Sequence, residues 1–384
     1  MFAVFHRGYW LVASLYLVID ADLSAFRLIS VGVAQGIIAL AFEVPAGVVA
    51  DTISRKWSLV IAHLLMGTAI VITGIVTAYP ALVATQMLWG VAWTFVSGAD
   101  VAWVTDELND EKRIDRVLTN AARWEAVGSA VGLVVFGAFA WVADRGTSIV
   151  VAGVAIIVLG GIVAARFPER NFTPATIARW QASRAILRAG ARLARHDREI
   201  MLVLAATFLV NGAAEVFGRV YAKRLVALGL PSKPDPIVWY TMLGLAMLLA
   251  GALVLRVVET RIDGTDVAPR VYVSACALGA VGMLVLAHAP NVEAAAAGVL
   301  LAGGLSLTVL RLVGTIWVNR RTSSDVRATV HSFLAQAEYL GEIIVGFSLA
   351  LLARATSVTV ALTGAALVMI ATAALVLRRA SASD

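Results

Sequence analysis

Apolar stretches of about 20 residues recur from one end of the chain to the other, and few folds can accept them. That length crosses the hydrocarbon core of a bilayer as a helix, the one open-chain structure that satisfies its own backbone there. Twelve such segments are readable, at roughly 2–19, 28–50, 57–79, 80–104, 117–142, 147–167, 200–222, 236–258, 269–289, 291–318, 329–353 and 355–377. Composition agrees: 60% of 384 residues are hydrophobic and only 15% charged, against about a quarter charged in soluble domains. The expectation is an all-α membrane protein. The first segment is the shortest, with Arg7 inside it. Either its helix starts at Met1 with Arg7 snorkelling to the headgroups, or further residues precede it.

The 31 Lys and Arg residues are unevenly placed. Twenty-one fall in connections on one side of the expected membrane, six on the other, and Arg7, Arg123, Arg219 and Arg311 lie within helices. The positive-inside rule then places both termini in the cytoplasm, as an even number of spans allows. The net charge of +6 is read as loop charge, not as a nucleic-acid surface. The many Arg, Ala, Val and Gly residues point to a GC-rich bacterial genome, hence to a bacterial inner membrane. A single cysteine, Cys276, excludes a disulfide framework, and five scattered His suggest no metal site. No phosphate-binding loop, HExxH or nucleophile elbow is present. Gly98-Ala99-Asp100 is only half of an aspartyl-type site. No cofactor is expected.

The longest connection divides the chain into 1–167 and 200–384, two six-helix halves, with a basic linker at 168–199. Thr173 is an N-cap candidate with Pro174 at the first helical position. Arg184, Arg188, Arg192 and Arg195 recur at helical spacing. They read equally as a helix on anionic lipid headgroups or as a solvated linker. The halves echo each other: 103-WVTD-106 precedes 123-RWEAVGS-129, and 317-WVNR-320 precedes 336-QAEYLGE-342. Trp-Val and then Glu-x-x-Gly recur, which fits either a duplicated half or a short chance match.

The register Gly47, Asp51, Arg55, Lys56 resembles the Gly-x-x-x-Asp-x-x-x-Arg-Arg/Lys loop between helices 2 and 3 of the major facilitator superfamily, with Ser54 in place of the usual second glycine. The resemblance covers the whole chain. It implies two six-helix bundles related by a pseudo-twofold, alternating access, and similarity to multidrug or solute efflux members. It also implies that Asp51 latches the halves by meeting the start of helix 11, near Arg327 and Ala328. Read physically, Gly47 admits a close helix, Pro45 can bend its own, and Asp51 suits another helix's N-terminus. Alternatively, Asp51, Arg55 and Lys56 form only a polar turn. Two family features are absent. Helix 5 has no Gly-Pro pair, and Gln86 replaces the arginine of helix 4, for which Arg123 could substitute. Both departures point away from a drug–proton antiporter.

Ionisable residues in hydrocarbon usually face a cavity or a partner. Arg123 with Glu125, and Gln336 with Glu338, form matching clusters that suit a central, proton-binding site; Glu342 follows one turn later. Asn211, Glu215 and Arg219 make one polar stripe, and Arg219 could meet Asp20 or Asp22 as an outer gate. Asp100 and Arg311, late in helices 4 and 10, suit an inner gate. Glu43 couples protons, binds backbone freed by Pro45, or pairs with Arg123. The alternatives are an Arg123–Glu125 pair that only ties helix 5 to its neighbours, a Glu215–Arg219 pair that only lowers insertion cost, and separate partners within each bundle for Asp100 and Arg311. Trp10, Trp89, Trp93, Trp124 and Trp317 could line a pocket or sit at the interface. The expected function is secondary transport by a monomer, with protons as coupling ion and a small organic or amphiphilic solute carried outward. The alternatives are an importer or uniporter of the same fold, a non-transporting membrane sensor, or an intramembrane enzyme.

Overall fold

The computed structural model describes residues 1–108, 110–174, 197–259, 267–321 and 324–380. Most of the basic linker and Arg261 lie outside them. Every regular element among the described residues is helical, and twelve helices are long and apolar enough to cross a membrane. In chain order they are α1 (Phe2–Asp20), α2 (Ala25–Thr52), α3 (Arg55–Ile75), α4 (Tyr79–Leu108), α5 (Glu111–Val142), α6 (Arg145–Arg166), α7 (Arg198–Ala227), α8 (Pro236–Glu259), α9 (Val267–His288), α10 (Val292–Arg320), α11 (Ser324–Ala355) and α12 (Val358–Ala380).

Polar side chains start several of them. Ser54 accepts from the Trp57 amide, Asp144 from Thr147, Asp197 from Glu199 and Ile200, and Asn291 from Ala294. Each satisfies an amide that the helix leaves unpaired. Tyr79-Pro80-Ala81 is not the turn its sequence suggests. The helix already begins at Tyr79, because proline's fixed φ suits a first turn. The charged stretch 105–116 is mostly helical too, since α4 reaches Leu108 and α5 starts at Glu111. Outside hydrocarbon, charged residues extend a helix freely. α4 breaks at Ser97–Gly98, where Gly98 has φ +79°, a value glycine adopts without a Cβ clash.

The chain forms two compact units: Met1–Asp22 with Ala34–Ala185, and Leu23–Val33 with Ile186–Asp384. The start of α2 thus belongs with the second unit. Small residues set the closest approaches within each. In the first, a Cβ on Gly67 of α3 would lie 2.7 Å from the Gly153 carbonyl of α6, and one on Gly132 of α5 would strike the Val4 carbonyl of α1. In the second, Gly341 of α11 stands against the Phe208 carbonyl of α7 in the same way. Without a hydrophobic drive inside lipid, such close packing is what joins helices.

Candidate functional site

In the second unit an ion pair lies across one turn of α7. Arg219 Nε donates to Glu215 Oε1 at 2.8 Å, and the two side chains are only 12% and 14% exposed. Glycines make room for it. A Cβ on Gly32, in the first turns of α2, would collide with Glu215 Oε1 and come within 2.5 Å of Arg219 Nε. A Cβ on Gly346 of α11 would lie 3.6 Å from Glu215 Cγ. Glu338, Glu342 and Gly346 follow at four-residue spacing and so share a face of α11. Glu342, half-buried, is therefore one turn from the glycine that packs on Glu215. Asn211, one turn before Glu215, is spent on backbone: its Nδ2 donates to the Thr207 carbonyl at 2.9 Å.

A second cluster surrounds the loop between α2 and α3. Arg55 reaches 4.0 Å from Asp51, donates to the Ala102 carbonyl at 2.9 Å, and pairs with Asp106 on α4. Its guanidinium also lies over the Phe172 ring at 5.9 Å. Glu169, just after α6, accepts from Ser54 Oγ at 2.6 Å and from the Lys56 amide at 2.9 Å. The N-terminus of α3 thereby gains a carboxylate, which its dipole favours. Trp103 closes the cluster, stacked on Phe167 at 4.4 Å and donating to the Pro168 carbonyl at 2.9 Å. Asp106, Glu107, which accepts from the Arg170 and Asn171 amides, and Glu169 are absent from the candidates read in the sequence. Only the acidic character of 105–116 could have signalled the first two.

The other sequence candidates lie apart from these clusters. Arg123 and Glu125 are exposed on α5; on α11 Glu338 is exposed and Gln336 half-buried. The repeat that pairs them has a packing basis. Gly128, three residues after Glu125, faces Ala3 and Val4 of α1, and Gly341, three after Glu338, faces Phe208 of α7. Asp20 pairs with Arg145 at 2.6 Å in the first unit. Asp100 is exposed and accepts from the Val101 amide at 2.7 Å, and Arg311 is exposed. Glu43 is half-buried, two residues before Pro45 inside α2. Gln86, standing where the family has arginine, is 1% exposed and donates to Tyr9 Oη at 2.7 Å. An amide in that place ties α4 to α1 without a buried charge. Outside the spans, hydrogen bonds from the side chain and amide of Thr147 hold the Asp144 carboxyl below its ordinary value.

The Major Facilitator Superfamily profile matches residues 1–346. The chain belongs to the major facilitator superfamily. Solved structures with this fold include the nucleoside transporter NupG, whose mutant superposes with TM-score 0.75 at 14% identity over 99% of this chain and 97% of that one. A peptide transporter of the POT family in complex with alafosfalin gives TM-score 0.73 at 13% identity, covering 99% and 92%. A bacterial homologue of the human lysosomal transporter Spinster gives 0.67 at 13%, covering 99% and 94%. No curated protein matches the sequence. This superfamily member is a multi-pass transporter rather than an enzyme, and its fold implies a small-molecule substrate.

Proposed function

We propose that the protein is a proton-coupled secondary transporter that carries a small organic or amphiphilic solute outward by alternating access. The observation that supports this is the Glu215–Arg219 pair, closed in by Gly32 and Gly346, with Glu342 one turn away. Two carboxylates share the neighbourhood of one guanidinium. With both ionised the trio carries a net negative charge; one proton neutralises it. In a site poor in water that difference is worth enough to favour different packings around the pair. Proton loading on Glu342 then biases which packing persists, and the solute binds one packing better than the other. Glu338 and Gln336 on α11, and Arg123 and Glu125 on α5, are further candidates for carrying protons or solute within their own units. Asp51 is the latch at the inner mouth, held in register by Arg55 and Asp106. The chain works as a monomer in a bacterial inner membrane with both termini inside.

The test uses purified protein in liposomes, with solutes first selected by thermal shift. Expected is proton flux that requires the solute, runs opposite to it, and is lost in Glu342→Gln while solute binding persists. Solute flux indifferent to an imposed pH gradient refutes the coupling. Flux of solute and protons in the same direction refutes export and favours an importer.

A further inference from the structure

Four rings of the first unit lie in nearly parallel planes. His6 stacks on Phe2 with centroids 5.1 Å apart and planes at 16°, on Trp89 at 5.7 Å and 17°, and on Trp93 at 6.0 Å and 13°. Trp89 and Trp93 stack on each other at 5.4 Å and 8°. Trp10 meets Trp89 edge-on, at 5.3 Å and 79°, and its Nε1 donates to His6 Nε2 at 3.1 Å. Accepting that bond requires a neutral imidazole with its proton on Nδ1. Phe2, His6, Trp10 and Trp93 are only half-buried, so the layer of ring faces reaches the surface of the unit.

Two buried polar atoms on α4, one of them on a stacked ring, have no hydrogen-bond partner. Trp89 is 5% exposed and its Nε1 has no hydrogen-bond partner; Gln86 is 1% exposed and its Oε1 has none. The other end of Gln86 is committed to Tyr9 Oη. Gln86 and Trp89 are three residues apart and share a face of α4. Buried polar atoms are normally paired. Packing alone would be met by a phenylalanine at 89, and the bond to Tyr9 uses only the Nε2 end of Gln86. There remain one free donor and one free acceptor on that face of α4, and none of the side chains forming the platform is charged.

We infer that this platform binds a neutral, flat aromatic or heteroaromatic solute whose edge carries both a hydrogen-bond acceptor, for Trp89 Nε1, and an N–H donor, for Gln86 Oε1. The inference rests on the transporter reading, since this solute is then the cargo. Every ring has a π-face, so stacking sets the class of ligand, and the Gln86–Trp89 edge selects within it.

Calorimetric titration of the purified full chain, with no gradient present, tests it. The probes are benzamide, nicotinamide and adenine. Cyclohexanecarboxamide keeps the amide of benzamide and loses the flat ring. Expected is saturable binding of at least one flat probe, and benzamide preferred over cyclohexanecarboxamide by about tenfold or more. Trp93→Ala weakens the bound probe about tenfold, Trp93→Phe holds it within about threefold because a stacking face remains, and Gln86→Leu weakens it also. A thermal melt confirms that each variant folds; if Trp93→Ala does not, the ratio between Trp93→Phe and Gln86→Leu decides. No saturable binding of any flat probe, equal affinity for benzamide and its saturated counterpart, or affinity unmoved by both Gln86→Leu and Trp93→Ala overturns the site. Glu342→Gln separates the two proposals. Lost coupling with intact binding leaves the platform standing, and intact coupling without binding of flat probes removes only the platform.

Discussion

Arg219 and Glu215 show what a single side chain is worth inside lipid. Removing one partner of a buried ion pair leaves the other uncompensated, at a cost of about 3–5 kcal/mol. Arg219→Ala is expected to lower the unfolding midpoint sharply, whereas Arg219→Ala with Glu215→Ala recovers much of the loss. A double mutant no more stable than Arg219→Ala would mean the pair is not the unit described. This pair was legible in the sequence, because four-residue spacing on a helix brings side chains together whatever the fold. Asp106 and Glu169 were not. They meet Arg55 and Ser54 across 51 and 115 positions of chain, and nothing local encodes such a meeting. Asp144 gives the pH-dependent case. Its carboxyl is held low by Thr147, so its capping contribution is present above the ordinary value of 3.8 and disappears as pH falls through the lowered folded value. Asp144→Ala should cost about 1 kcal/mol at neutral pH. The gap between wild type and variant in thermal melts should close below that acid range; a constant gap would deny the carboxylate its part.

At the scale of elements, α5 and α11 are the same device used twice. Each carries Glu-x-x-Gly, and in each the glycine lets the helix settle on the first helix of its own half, Gly128 against Ala3 and Val4 and Gly341 against Phe208. Sequence exposed the repeat but not its cause, since glycine spacing does not say which helix approaches. The same limit explains the misread connections. Hydropathy reports where hydrocarbon ends, not where a helix ends, so α4 and α5 run on through charged residues into water. If the repeat exists for packing, bulk at the glycine must be costly. Gly341→Val would drive its side chain into the Phe208 carbonyl, and overpacking of this kind typically costs 1–3 kcal/mol or more. Gly161, which has open space at its Cβ position, serves as the control. Detergent melts should place Gly341→Val well below wild type and Gly161→Ala close to it. Equal midpoints would show that α11 does not depend on that contact.

For the molecule as a whole, hydropathy alone specified twelve spans, because the bilayer imposes one length and one backbone solution on every crossing. The loop register Gly47, Asp51, Arg55, Lys56 then selected the superfamily among twelve-helix possibilities. Orientation rests on a different physical effect, the retention of Lys and Arg on the cytoplasmic side during insertion. It can be tested apart from fold and function. By the uneven placement of Lys and Arg, the loop between α2 and α3 and both termini are expected on the cytoplasmic side. The lone native Cys276 is 0% exposed, so it should stay silent toward a charged maleimide. Ile53, 67% exposed, offers a reporter beside Asp51. Ile53→Cys should be labelled in inside-out vesicles and protected from the impermeant reagent in intact cells. A cysteine at Ser232, in the opposite connection between α7 and α8, should show the reverse. Labelling of Ile53→Cys from the outside of intact cells would invert the topology. The proposed Asp51 latch would then face the wrong solvent, and the proton proposed to load Glu342 would have to come from the other side.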